Sequence, residues 1–175
     1  MKGQNASPAV GCVASLHLHP SHPGQPLSPM DCIEVVADKG IKGEPRYFGR
    51  VSQSTGELSR RQVSLIEREQ IDGHAAALGL ERIAPGSVRS NIETVGVNLA
   101  ALVGRRVAIG EAVLFLYETR TPCAKMDAVC MGLRALMEGG RQGVMAQVVK
   151  SGRIRLNDTI ALVEVESDAP AVAVP

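Results

Sequence analysis

Short runs of alternating apolar and polar residues recur along most of the chain. Val63 and Leu65 share one face of Gln62–Ile66, which predicts a half-buried strand. Val144, Ala146 and Val148 alternate in the same way, and so do Ile154 and Leu156. Gly11–Leu18, Ile33–Ala37, Ser87–Glu93 and Ile160–Val165 read as further strands, and Val107–Glu118 as one long apolar strand or a pair. Ser151-Gly152 and Asn157-Asp158 supply turns between the last of them.

Helical spacing shows in three places. Ile71, Ala75 and Leu78 form one stripe, ended by Gly79. Ser64, three residues before Glu67, has the spacing of a capping box for that helix. Val97–Leu102 predicts a short helix. Residues 124–138 predict a longer one, with Met126, Cys130, Leu133 and Met137 on one stripe and Gly139-Gly140 at its end. His19–Pro29, with four prolines, and the Gly/Pro-rich Lys39–Arg50 read as surface loops, and Ser52–Ser59 as exposed. Many short strands with few helices make the fold class mainly β (α+β), a barrel or sandwich with helical inserts.

Length bounds the organisation: 175 residues fit one domain. That domain is expected over residues 10–166, between loose ends at 1–9 and 167–175. The balance of 19 basic and 18 acidic residues gives no basic coat for nucleic acid or an anionic membrane. Four aromatic residues without Trp provide no stacking platform for single strands. No apolar run approaches the ~20 residues of a membrane span, and the amino end makes a poor signal peptide. Cys12, Cys32, Cys123 and Cys130 show no CxxC spacing, so reduced thiols and a cytoplasmic location are expected.

The strongest chemical signal is Thr121-Pro122-Cys123-Ala124-Lys125-Met126. Pro122 stiffens the approach to Cys123, which falls at or just before a helix start. Arg120 and Lys125 add positive charge, and such settings favour the reactive thiolate. A buried, inert cysteine is the plain alternative. Arg89 and Asn91 are expected on one face of a strand, with Ser90 and Ile92 on the other; an Arg fork beside an amide suits a bidentate anion. Gly40-Ile41-Lys42-Gly43 offers flexible backbone for a phosphate, but is no Walker motif. Arg141 follows Gly139-Gly140, where a cation compensating a helix end is the ordinary reading. His17, His19 and His22 lack the further ligands zinc needs, so a solvated strand end is expected. His74 is expected on a helix surface, and Cys12, Cys32 and Cys130 in the core.

Together these pieces resemble the MOSC family, named for the C-terminal domain of molybdenum cofactor sulfurases. The matching elements appear in family order: Gly40-Ile41-Lys42-Gly43, Arg61–Ile66, and Arg89-x-Asn91-Ile92-x-Thr94-x-Gly96. Leu99-x-x-Leu102-x-Gly104, Ile109-Gly110-x-Ala112, Arg120-x-Pro122-Cys123-x-Lys125 and Arg141-x-Gly143-Val144 follow. The resemblance implies a MOSC-type β-barrel. It implies that Cys123, the hallmark cysteine, ligates molybdenum of the pterin cofactor or carries sulfur for it. Arg46, Arg89, Asn91, Arg120, Lys125 and Arg141 become candidate cofactor-binding residues. Related proteins reduce N–O bonds of N-hydroxylated compounds with electrons from partner proteins. The expected partners are therefore a small-molecule substrate and an electron-donor reductase, or a cysteine desulfurase if Cys123 carries a persulfide. A binding module that no longer uses the cysteine is a third reading. The chain has no evident pyridoxal-phosphate site. It departs from the family at Glu44-Pro45-Arg46-Tyr47, where many members have an Asp-Arg-His type run; acid and arginine are kept, Pro45 intrudes and the His is missing.

Overall fold

The computed structural model describes residues 8–164. The amino-terminal half contains β1 (Ala9–Leu18), β2 (Ser28–Met30), β3 (Cys32–Val36), β4 (Gly40–Ile41), β5 (Val63–Glu67), α1 (Arg68–Ala77) and β6 (Ile92–Val95). A 3-10 turn at Ala100–Leu102 leads to β7 (Arg106–Ile109), β8 (Ala112–Thr119), α2 (Lys125–Val129) and α3 (Leu133–Leu136). The chain returns through β9 (Val144–Lys150), β10 (Gly152–Arg155) and β11 (Thr159–Val163).

Seven strands close into a barrel in the order β11-β7-β8-β9-β5-β6-β1, with β1 pairing back onto β11. The first half of β1 faces β11, with Cys12 opposite Thr159. Its second half holds β2, with Leu16 opposite Met30. β5 and β6 are parallel, and every other barrel pair is antiparallel. That one parallel pair needs a crossover, and α1 provides it. A small sheet, β10-β3-β4, lies beside the barrel.

β5 is buried along its whole length, and its alternation places the site. Val63 and Leu65 join the main core with Val13, Ile92, Leu114 and Val148. Ile66 points the other way, into a second cluster with Ile71 and Ala75 of α1, Met126 of α2 and Leu133 of α3. The helices therefore pack on the outside of β5, and their apolar stripes fix the segment that carries Cys123.

The structure corrects several expectations. Residues 124–138 are not one helix. Cys130 is extended (φ −157°) and Gly132 is left-handed (φ 91°), so the chain breaks between α2 and α3. Glycine adopts that φ at no steric cost, and the buried residues Met126, Leu133 and Met137 still reach one cluster. The capping box does not form, because Ser64 lies inside β5 and its hydroxyl donates to Asn91 Oδ1 at 2.9 Å. Of the segment 87–93 only Ile92 and Glu93 are strand, the start of β6. Val107–Glu118, expected as one strand or a pair, is indeed a pair, turned at Gly110-Glu111. The expected loops at 19–29 and 39–50 each contain a short strand. Ala9, assigned to a loose end, begins β1. The other loose ends, 1–7 and 167–175, lie outside the described residues.

Glu67 ends β5 with a buried carboxyl group. Its Oε1 accepts from Leu99 N at 2.8 Å, while Oε2 has no partner among the described residues. Burial, aided by nearby Glu69, raises its pKa against the hydrogen bond from Leu99. An acid with a raised folded pKa loses stability as pH climbs past its unfolded value. Glu67→Gln removes that charge and keeps the acceptor. The variant's melting temperature is expected to gain on the parent's between pH 5 and pH 8; a constant difference across that range would refute the assignment.

Candidate functional site

The Gly-x-x-Gly turn sets the floor of the site. Gly43 takes a left-handed φ of 83°, and Glu44 N closes a turn onto Ile41 O at 3.0 Å. That turn drives Glu44 inward, to 1% exposure. Its Oε2 accepts from His19 N at 3.0 Å, His19 Nδ1 at 3.1 Å and Asn91 Nδ2 at 2.8 Å. Its Oε1 accepts from Arg46 N at 2.9 Å. Burial alone would raise the Glu44 pKa, but hydrogen bonds and attraction from His19, with the bond from Arg46, hold it below the ordinary value. A histidine thus does meet the acid of this loop, and it comes from the end of β1.

Asn91 is the second hub. Its Oδ1 accepts from Ser64 N and Ser64 Oγ, and its Nδ2 donates to His17 O as well as to Glu44. The amide is fully buried and its donors and acceptor are all engaged within the protein. It ties β5, β1 and the Glu44 loop together, and works as a positioning residue. Arg89 and Asn91 do not share a strand face, because Arg89 is left-handed (φ 60°) and precedes β6. That turn sends Arg89 outward while Asn91 stays in the interior.

Above this floor lies an open cleft of about 190 Å³ lined by Arg46, Arg89 and Lys125 together with His19, His22 and Pro45. Three of the expected cationic residues, far apart in sequence, converge there. Two buried nitrogens of the lining residues, His19 Nε2 and Arg89 Nε, have no partner among the described residues. Arg120 lies behind the lining. Its guanidinium donates to Ser90 Oγ, to Gln142 O at 3.4 Å and to Arg89 O at 3.4 Å. Burial, joined by repulsion from Arg46 and Arg61 and opposed by Tyr47, pulls its pKa down to about 10, so it stays charged at neutral pH.

Cys123 is exposed, which removes the plain alternative of a buried thiol. Pro122 before it and Met126 after it are both buried and act as anchors. The Cys123 carbonyl accepts from Met126 N at 3.0 Å, and Arg120 N donates to Gly143 O at 2.9 Å. Arg141 does not line the cleft; its Nε donates to Glu138 O at 3.0 Å beyond α3.

The histidines are corrected too. His17 and His19 are buried at 2% and 5% exposure, not solvated. Burial lowers the His17 pKa against the pull of Glu93 and of the Ser90 backbone carbonyl. His74 is also buried, and its Nε2 donates to Arg141 O at 2.9 Å. Cys12 and Cys32 are half-buried rather than core, whereas the half-buried Cys130 packs against the second core cluster. Among the described residues, no group of three or more His, Cys, Asp or Glu is placed to hold a metal ion. No helix among them is long and apolar enough to cross a membrane.

A family model, the MOSC domain, matches residues 27–161. The chain belongs to the MOSC family. Solved structures agree on the fold. The YuaD protein from Bacillus subtilis aligns with a TM-score of 0.74 at 20% identity, covering 87% of this chain and 94% of that one. YiiM from Escherichia coli aligns at 0.62 and 19% identity, covering 91% of this chain and 71% of that one. YiiM from Geobacillus stearothermophilus gives 0.60 at 16%, with coverage of 92% and 77%. No curated protein matches the sequence. In this MOSC barrel the single exposed cysteine, Cys123, stands two residues before the cleft-lining Lys125. Sequence reasoning missed His19 and Glu44 as site-building residues. Their signals were the His-Leu-His run and the acid directly after Gly43.

Proposed function

We propose that this MOSC protein binds the molybdenum cofactor, with Cys123 as the metal ligand, and reduces N-hydroxylated compounds using electrons from a partner. The observation that carries this reading is the convergence of Arg46, Arg89 and Lys125 on one cleft, with the exposed Cys123 two residues before Lys125. The donor set fits the group. A soft thiolate suits a molybdenum centre, and arginine forks suit the cofactor's phosphate. The unpartnered His19 Nε2 and Arg89 Nε are polar atoms that such a ligand could satisfy.

When bound, the cofactor supplies the two-electron redox chemistry. The chain's own residues supply position and charge. Arg46, Arg89 and Lys125 hold the anionic end. Arg120 holds the backbone of Arg89 in place, and Glu44 with Asn91 fixes the loop that presents Arg46. Four free thiols suit a reducing compartment such as the cytoplasm.

The exposure of Cys123 also favours a second reading, a persulfide carrier serving metal–sulfur assembly, loaded by a cysteine desulfurase. One experiment separates the two. The protein and Cys123→Ala are purified from a host that makes the cofactor, and molybdenum is counted by mass spectrometry. Near-stoichiometric metal that is lost in Cys123→Ala is the expected result. Metal absent from both, with a sulfane sulfur on Cys123, would overturn the first reading in favour of the second.

A further inference from the structure

Charge is unevenly spread over this nearly neutral chain. Residues 46–61 carry Arg46, Arg50, Arg60 and Arg61 against one acid, Glu57. All four arginines are exposed. Three apolar side chains stand among them: Phe48 at 38%, Val51 at 51% and Leu58 at 45% exposure.

The segment is held in shape. Val51 and Leu58 face each other in an antiparallel bridge. Ser52 N donates to Glu57 O at 2.8 Å, and Ser59 N to Arg50 O at 2.7 Å. Phe48 N donates to Glu44 O at 3.2 Å, which roots the segment in the floor of the site. The Arg60 guanidinium stacks on the Tyr117 ring at 4.6 Å. Arg46 belongs to both surfaces, since it also lines the cleft.

We infer that residues 46–61 form the docking surface for an acidic protein that delivers electrons to the cleft. The partner's role as electron donor rests on the function proposed above; the acidic chemistry of its surface rests on the charges here. A small apolar centre rimmed by arginines is the composition of a protein interface, where Arg and aromatic residues are enriched. Arginines clustered on one side steer an acidic partner and set its orientation. A nucleic-acid site would call for stacking aromatics, and Phe48 is the one exposed aromatic in the segment. A membrane site would call for a basic amphipathic helix, and the segment has none.

The test uses a strongly acidic [2Fe–2S] ferredoxin as probe, with a basic c-type cytochrome as charge control. Binding to the cofactor-loaded protein is followed by calorimetry at low and high salt. Expected are binding of the ferredoxin alone, weakening with salt, and hydrogen-exchange protection confined to residues 46–61. Arg50→Glu/Leu58→Asp should weaken it about tenfold, or about 1.4 kcal/mol. Both residues are exposed and outside the cleft, so melting temperature and viologen-driven turnover should stay at the parent's level. Equal binding by parent and variant, protection elsewhere, or binding of single-stranded DNA or anionic vesicles in preference to ferredoxin would overturn the inference. Absence of viologen-driven turnover in the parent counts against the proposed reduction alone. The binding result still decides the surface.

Discussion

Glu44→Gln is expected to cost about 3–5 kcal/mol of stability, the range for breaking a buried charged network. Four donors converge on that carboxylate, from His19 N, His19 Nδ1, Asn91 Nδ2 and Arg46 N. An amide offers one acceptor oxygen and turns an N–H toward the remaining donors. At least one buried donor is then left without a partner, at about 1–3 kcal/mol each. For a chain of this size the melting temperature should fall by roughly 10 °C. The same carboxylate predicts an acid limb. Its folded pKa is depressed, so its contribution is complete above the unfolded carboxylate pKa of about 4.3 and is lost as pH falls through the lower folded value. Denaturant unfolding between pH 3 and pH 7 checks this. The parent should weaken at the acid end more steeply than Glu44→Gln; parallel curves would remove Glu44 from the network.

Gly143→Ala should be the more damaging change, costing about 4 kcal/mol or more by a backbone clash. Gly143 is left-handed at φ 77°, and a Cβ there would lie 2.0 Å from Leu65 O and 2.8 Å from Ile66 Cα. Neither atom can give way, because both belong to the backbone of the fully buried β5. The damage reaches the site, since the Gly143 carbonyl receives Arg120 N. Gly139→Ala is the control. It is also left-handed, at φ 70°, but nothing lies within 4 Å of its Cβ position. It should cost only the conformational strain of about 1–2 kcal/mol. Urea titrations of both variants decide the matter; equal losses would mean that contact with β5 contributes nothing.

Much of the barrel was legible in the period-two runs, because strands buried on one face must alternate. β5, β9 and β10 fell close to their expected places for that reason. The ordered motifs pointed to the family and to Cys123. What stayed hidden depended on partners distant in sequence. Ser64 has the spacing of a helix cap, but Asn91 claims its hydroxyl. The stripe from Met126 to Met137 is truly apolar, and only the backbone at Cys130 and Gly132 shows that two helices share it. His19 looked solvated beside its prolines, because nothing local announces Glu44 twenty-five positions later. Three cations converged on the cleft, whereas Arg141 followed a helix end elsewhere.

The seam of the barrel joins β1 to β11. Among the barrel strands a ribosome releases β1 first and β11 last, so the growing barrel holds an open-edged sheet until β11 is made. Contacts of such sequence separation form slowly, and unpaired edges invite association with other chains. A message truncated before Thr159 would therefore yield an aggregating fragment rather than a weakened protein, however complete its cleft and its cysteine.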